Sequence, residues 1–295
     1  MKSDKKYGVI DVGSNSVRAI LYSDGKILYK RLITSRLGEG LYLTGNITES
    51  AFERTLNAVK TFVYNLVALG ADEIYPFATE AVRSAKNGKE FTEAVTTATG
   101  LTVDVVSGEE EGELGLLGAL KTPNGGIIDI GGASAEIVAT KDKKIIYSHS
   151  LPLGAVRLHD RCGEDENLLK TAVDERIEEY GKVPVDIDYY AIGGTATTVG
   201  MIDARLLVYD ENVVDGRRIE YSKIVEIYNT VKNLTVSERI EKLHINEKRA
   251  EIIVGGIYLL KRIMEQFKIE KITVSEGDNM LGYVKKKILG ESYER

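Results

Sequence analysis

Apolar residues near the start of the chain form a run that ends in Asp11. It passes through a Gly-Ser turn at Gly13 to Ser16 and resumes at Val17. A charged turn at Asp24 to Lys26 then leads into a third run. The same order recurs without a gap 118 residues later. Seven positions repeat: Ile10/Ile128, Asp11/Asp129, Gly13/Gly131, Ser16/Ser134, Asp24/Asp142, Lys26/Lys144 and Ile27/Ile145. Apolar strands joined by Gly-rich and charged turns predict a β-hairpin leading into a third strand in each copy. A self-similarity of this kind predicts two related domains.

Between and after the copies the rhythm changes. Phe52, Leu56, Val59, Val63 and Leu66 recur at three- and four-residue steps. They predict an amphipathic helix over 48–69, with Thr48 or Ser50 as its cap. Strands are predicted over 73–79, 101–106, 189–192 and 270–275. Helices are predicted over 108–120, from Gly193 onward, over 221–234 and over 247–267. Strands alternating with helices imply an α/β architecture. Pro123 and a Gly pair precede the second hairpin, which divides the chain into 1–121 and 122–295 with no low-complexity linker.

Composition narrows the function. The 295 residues are 43% hydrophobic and 28% charged, which is globular composition. A net charge of −6 argues against a nucleic-acid partner held by a basic surface. The single cysteine, Cys162, cannot form an intrachain disulfide, and the charged start at Met1 to Lys6 has no secretory pattern. The longest apolar stretch, around Ile252 to Leu260, falls well short of the ~20 residues of a membrane span. A cytoplasmic protein with no membrane partner is expected. Three separated histidines and one cysteine make a zinc site of those ligands improbable. With 29 glycines against four prolines, tight turns and close backbone approach to a ligand are expected.

Three loops have the chemistry to hold phosphate. After Asp11, the backbone N–H groups and hydroxyls of Gly13-Ser14-Asn15-Ser16 can ring an anion. Asp11 itself can bind a metal directly or through water. The second copy offers Asp129 and Gly131-Gly132-Ala133-Ser134. At Gly193-Gly194-Thr195 a helix N-terminus would present free N–H groups. Singly each loop is a weak signal, because such turns are more often structural. Together they suggest a phosphate chain held between two domains.

Six segments carry a resemblance: IDVGSNSVRAIL at 10–21, ATEAVRSAKN at 78–87, VVSGEEEGEL at 105–114, GIIDIGGASAEIV at 126–138, LPLGAVRL at 151–158 and AIGGTATTVG at 191–200. In this order they resemble the exopolyphosphatase/guanosine pentaphosphate phosphohydrolase family. The resemblance implies two ribonuclease-H-like domains of the actin/sugar kinase/Hsp70 superfamily with a cleft between them. It implies a short form lacking C-terminal helical domains, a terminal helix free to pack back on the first domain, and a homodimer as an allowed assembly. It also implies Mg²⁺ or Mn²⁺ as cofactor. The substrate would be inorganic polyphosphate, losing terminal orthophosphate to a metal-assisted water. Guanosine penta- or tetraphosphate is the alternative substrate, and a non-catalytic alarmone or polyphosphate sensor is a more remote reading.

Aligning the Ser107-Gly108 pair puts the catalytic role on Glu111. Glu109 and Glu110 read as structural, with Ser107 and Glu110 forming a capping box. Gly115 and Gly118, on the helical face that continues from Glu111, would admit a ligand or closely packed backbone. Asp129 is the leading metal ligand, with Glu136 and Asp11 beside it. Arg18 and Glu136 occupy equivalent slots of the two copies, one suited to phosphate and the other to metal or water. Arg83 resembles the cleft arginine of the family, and Arg157 either serves the same end or fixes domain packing. Two departures stand out. Ala133 and Ala135 replace a Gly and a Thr of the usual second loop. Ser275 to Gly282 lacks the usual Arg-Glu step, which bears on chain-length preference and domain closure.

Overall fold

Each opening repeat folds into three antiparallel strands. In the first they are β1 (Tyr7–Val12), β2 (Val17–Ser23) and β3 (Lys26–Ile33). The structure, a computed structural model, describes residues 5–294; Met1 to Asp4, part of the charged start, and Arg295 lie outside them. Asp24 and Gly25 both take positive φ, as the two-residue turn of a twisted hairpin requires. Further on, β4 (Glu73–Ala78) and the two-residue β5 (Asp104–Val105) add in parallel, giving the order β3-β2-β1-β4-β5. The strand expected over 101–106 is thus reduced to its centre.

The second copy repeats this. β6 (Gly125–Ile130), β7 (Ala135–Lys141) and β8 (Lys144–Leu151) are antiparallel, and β9 (Tyr189–Ile192) and β11 (Lys271–Val274) follow in parallel. A short β10 (Arg218–Glu220) pairs antiparallel at the outer edge, giving the order β10-β11-β9-β6-β7-β8. The register shift in β2 at Leu21/Tyr22 has its counterpart in β7 at Ala139/Thr140, at the same place in the repeat. Asp142 and Lys143 take the positive φ values of the charged turn. Lys143 is held there by backbone bonds to Pro123 and Glu294. Both halves are therefore ribonuclease-H-like, and the fold is α/β.

The Glu49–Ala68 helix begins at Thr48, whose hydroxyl accepts from the Ala51 N–H, and buries Phe62 and Leu66 against Ile10 and Val12. Helices at Gly88–Thr99, Ala155–Cys162 and Glu166–Ile177 form where sequence periodicity predicts no element. The helix expected over 247–267 is two, Glu247–Ala250 and Ile253–Gln266. At the break, the Ala250 carbonyl accepts from the fully buried Arg239 guanidinium at 3.0 Å.

One helix lies between the sheets. Gly108–Ala119 places Leu114 against Val9, Ile20 and Phe77 of the first sheet, and Leu116 against Ile127, Val138 and Ile192 of the second. Burying each such leucine contributes about 1.5–3 kcal/mol. The helix can approach because it is rich in glycine. A Cβ on Gly112 would lie 2.5 Å from Val138, and one on Gly115 would lie 2.4 Å from Ile127. The C-terminal helix Asn279–Tyr283 packs on the first sheet through Met280 and Tyr283. Among the described residues no helix is long and apolar enough to cross a membrane.

Candidate active site

The two hairpins bring their repeated residues face to face. Gly13 N–H bonds to the Ser16 carbonyl at 3.1 Å, and Gly131 N–H to the Ser134 carbonyl at 3.0 Å, so both turns have one geometry. The turns nearly touch: a Cβ on Gly132 would lie 2.8 Å from Ser14 Cβ and 3.1 Å from the Asn15 nitrogen. Residues 36–38 brace the first turn, with Arg36 N–H on the Asn15 carbonyl and Gly38 N–H on the Ser14 carbonyl. Arg36 has a φ of 54°, a left-handed conformation uncommon outside glycine.

Cross-strand register pairs Asp11 with Arg18 and Asp129 with Glu136. Equivalent slots therefore carry opposite charges, as the repeat predicted. Arg18 donates through Nε to Asp11 Oδ2 at 3.0 Å and through Nη1 to Asp278 Oδ2 at 2.6 Å. Burial opposes its charge, but Asp278 and Asp11 outweigh that and keep the guanidinium protonated. Glu136 Oε1 accepts from the Ser150 hydroxyl at 2.7 Å. Asp129 Oδ2 accepts from Asn279 Nδ2 at 3.4 Å.

Glu111 sits in the first turn of the central helix, buried, with Oε2 3.4 Å from Arg83 Nη1. Arg83 also donates to the Val106 carbonyl at 2.5 Å and to Glu80 at 2.6 Å. The neighbouring Glu110 turns away. Its backbone N–H is capped by Ser107 Oγ at 3.1 Å, while its carboxylate pairs with Lys286 and Lys287. The cap is thus one-sided rather than the reciprocal box expected from sequence, because the lysines of the C-terminal segment claim the side chain.

The third loop closes the site from the second half. Gly193 has a φ of 81°, and a Cβ there would lie 2.6 Å from Asp129 Oδ1. Only glycine lets the Gly193–Asp203 helix start so close to that carboxylate. Gly194 lies under the Arg249 guanidinium, 2.1 Å from where its Cβ would be. Burial, with Arg18 adding to it, lowers Arg249 to about 10. Thr195 is fully buried, its hydroxyl on the Ile130 carbonyl at 3.4 Å. Ala133 is buried and its carbonyl accepts from Arg157 Nε at 2.8 Å.

Asp11, Glu111, Asp129 and Glu136, four of the buried carboxylates, thus share one region with Asp278. Burial raises all four above the ordinary carboxylate range. Glu136 and Asp129 push Glu111 further up, and Asp129 does the same to Glu136. Arg18 pulls Asp11 and Asp129 back toward ionisation. Asp11 Oδ1, Glu136 Oε2 and Asn279 Oδ1 are buried with no hydrogen-bond partner. Unsatisfied acceptors of this kind suit a cation or ordered water. Among the described residues, no three His, Cys, Asp or Glu side chains converge on one metal position. A Mg²⁺ ion commonly takes one or two carboxylates and completes its shell with water and substrate phosphates. The donors present fit that pattern and do not form an all-protein cage.

Several members of this site carry no local sequence signal. Asp278 and Asn279 come from the segment where the usual Arg-Glu step is missing. Gly118 and Gly282 seat it: their Cβ atoms would lie 2.1 Å from the Asp278 carbonyl and 1.8 Å from the Leu114 carbonyl. The small face beyond Glu111 is therefore filled by packed backbone. Glu80, Ser150 and Arg249 likewise lack such a signal. A surface hollow lies away from the site, between β3 and the Glu49–Ala68 helix, lined by Tyr29, Leu32 and Phe62.

Known proteins resemble this chain along most of its length. The model of the Ppx/GppA phosphatase family matches residues 19–282. Exopolyphosphatase 2 of Mycobacterium tuberculosis is 26% identical over 94% of this chain and 97% of its own length. A crystal structure of the Aquifex aeolicus Ppx/GppA family member is 29% identical, with a TM-score of 0.81, over 99% of this chain and 100% of that one. An exopolyphosphatase structure from Cytophaga hutchinsonii shares the fold at 22% identity and a TM-score of 0.85, covering 99% of this chain and 100% of that one.

Proposed function

The chain belongs to the Ppx/GppA phosphatase family, and on that premise we propose that it is an exopolyphosphatase releasing terminal orthophosphate from inorganic polyphosphate. Its hydrolysis of phosphoanhydride bonds follows from the family. The observation that carries the finer reading is the meeting of two Gly-turn loops and a helix N-terminus over buried acids, with Arg83 and Arg249 at its sides. Backbone N–H groups of Ser14 and Asn15 and of Gly132 to Ser134 hold the phosphate chain, the Gly13 and Gly131 N–H groups being spent on the turns themselves, and those of Gly193 to Thr195 meet it from the second half. Arg83 neutralises the terminal phosphoryl group.

Glu111 orients the attacking water and takes its proton. Once ionised, a carboxylate lifted by burial is a better base than an exposed one. Asp129, with Glu136 and Asp11, would hold Mg²⁺ or Mn²⁺, which when bound supplies charge neutralisation on the phosphoryl oxygens. Arg18 keeps Asp11 and Asp278 in place. We propose residues 1–121 and 122–295 as the two domains that share the substrate.

The test is phosphate release from polyphosphates of several lengths and from guanosine pentaphosphate, with and without excess EDTA. Release from polyphosphate that stops on chelation and returns with Mg²⁺ is expected. Glu111→Gln should lose ~10²–10⁴-fold in kcat, the usual worth of a general base, while Glu110→Gln stays near wild type. Release only from guanosine pentaphosphate would move the assignment to that substrate. Metal-independent turnover would remove Asp129 from its role.

A further inference from the structure

Glu80 opens the short Glu80–Ser84 helix at the edge of the site. Its two oxygens accept from two arginines that come from opposite halves. Arg83 Nη2 lies at 2.6 Å from Oε2, and Arg157 Nη2 at 3.4 Å from Oε1. Each arginine has a second anchor that points it into the site. Arg83 reaches the Val106 carbonyl and Glu111, and Arg157 reaches the Ala133 carbonyl in the second loop. The Glu80 carboxylate therefore lies where both guanidiniums meet.

Competition for donors makes this position consequential. Arg83 already faces two carboxyl groups, Glu80 at 2.6 Å and Glu111 at 3.4 Å, so a phosphoryl group has to compete with them for its N–H groups. One of the two must give way before Arg83 can hold a phosphate with full strength. Glu111 is fixed in the central helix with a side chain 9% exposed, whereas the Glu80 side chain is 16% exposed at the rim. A phosphate offers several acceptor oxygens and more charge to the same arginine pair than a carboxylate does.

We propose that Glu80 is a resident competitor for phosphate. It holds Arg83 and Arg157 in register while no substrate is bound, and yields them to the terminal phosphate or to released orthophosphate. Glu80 thereby sets affinity for substrate and product rather than the chemistry. This rests on the reading of the site as a phosphate-binding one.

The experiment measures KM for a short polyphosphate and product inhibition by orthophosphate in wild type, Glu80→Gln and Glu80→Asp. Removing one negative charge a few ångströms from a bound phosphate should tighten both constants by roughly tenfold in E80Q, given partial solvent screening. E80D keeps the charge and should stay within about threefold of wild type on the same grounds. Constants that are unchanged or that weaken together in E80Q would overturn the competitor role and leave Glu80 as a support for the arginines. Wild-type protein that neither releases nor is inhibited by phosphate would overturn the site reading itself. Wild-type turnover with an unresponsive E80Q sinks only the role of Glu80.

Discussion

Glu136 shows what the site costs the fold. Its Oε2 is buried without a partner, and burial together with Asp129 raises its pKa from the ordinary 4.5. A carboxyl whose folded pKa is raised is tolerated when neutral. Its contribution to stability is therefore complete below the ordinary value and is lost as pH climbs toward the folded one. Glu111 behaves in the same direction. In metal-free buffer, the melting temperature of wild type should fall between about pH 5 and about pH 9 more steeply than that of Glu136→Gln. At the alkaline end E136Q should melt at least ~2 °C higher, since 1 kcal/mol moves Tm by roughly that much or more in a chain of this size. Parallel slopes for the two proteins would mean that Glu136 is not held against its charge. Added Mg²⁺ should narrow the gap, because a bound cation would offset the clustered carboxylates.

Among the elements, the turn at Ser275 to Gly282 depends most on fit. Gly118 carries it: a Cβ there would lie 2.1 Å from the Asp278 carbonyl oxygen and 2.7 Å from its carbon, both backbone atoms that cannot swing aside. Gly118→Ala should displace the turn, costing about 1–3 kcal/mol as overpacking does. It should also weaken phosphatase activity beyond that loss, because Asp278 and Asn279 leave Arg18 and Asp129. Gly100→Ala is the comparison: Gly100 ends the Gly88–Thr99 helix at φ 74° with open space around it. Its backbone strain costs up to roughly 1–2 kcal/mol, and activity of the folded protein should be kept. Equal activity in the two variants would deny the turn its part in the site. The same turn marks the limit of what the sequence discloses. Hairpins repeat within a few residues, so Asp11, Asp129 and their loops can be read locally, while Glu111 is legible only through the family resemblance of its segment. Asp278 meets Arg18 across 260 residues, and no local pattern encodes that meeting. The Gly88–Thr99 helix is illegible in the sequence for another reason. It buries little beyond Phe91 and Val95, and Thr96, Thr97 and Thr99 bond back to carbonyls four residues earlier. Such residues lower helix propensity, and tertiary packing overrides it here.

Across the whole molecule, the two halves meet at the rim through a handful of polar contacts, besides the Arg18–Asp278 and Arg157–Glu80 pairs of the site. Lys30 on β3 reaches Glu276 at 2.7 Å, and Arg36 reaches Glu251 at 2.5 Å. Lys248 donates to the Thr34 carbonyl at 2.8 Å, and Gly40 N–H to Asp160 at 2.9 Å. Partly exposed ion pairs are each worth about 0–1 kcal/mol and weaken with salt. Their sum is a few kcal/mol at most, so a partial opening at this rim lies within thermal reach while the Arg18–Asp278 pair and the packing of Met280 and Tyr283 on the first sheet keep the halves joined. The Gly108–Ala119 helix, packed on both sheets, is where such a motion would turn. A Lys30→Ala/Arg36→Ala double variant should therefore show a larger radius of gyration by solution scattering than wild type at low salt. Wild type should approach the variant as salt rises to about 1 M, where the screening length falls to ~3 Å. A non-hydrolysable phosphate chain should contract both, because loops from the two halves would share it. Identical scattering from wild type and the double variant at every salt concentration would mean that the central helix and its apolar contacts alone fix the halves. In that case substrate would have to enter a cleft that is already formed.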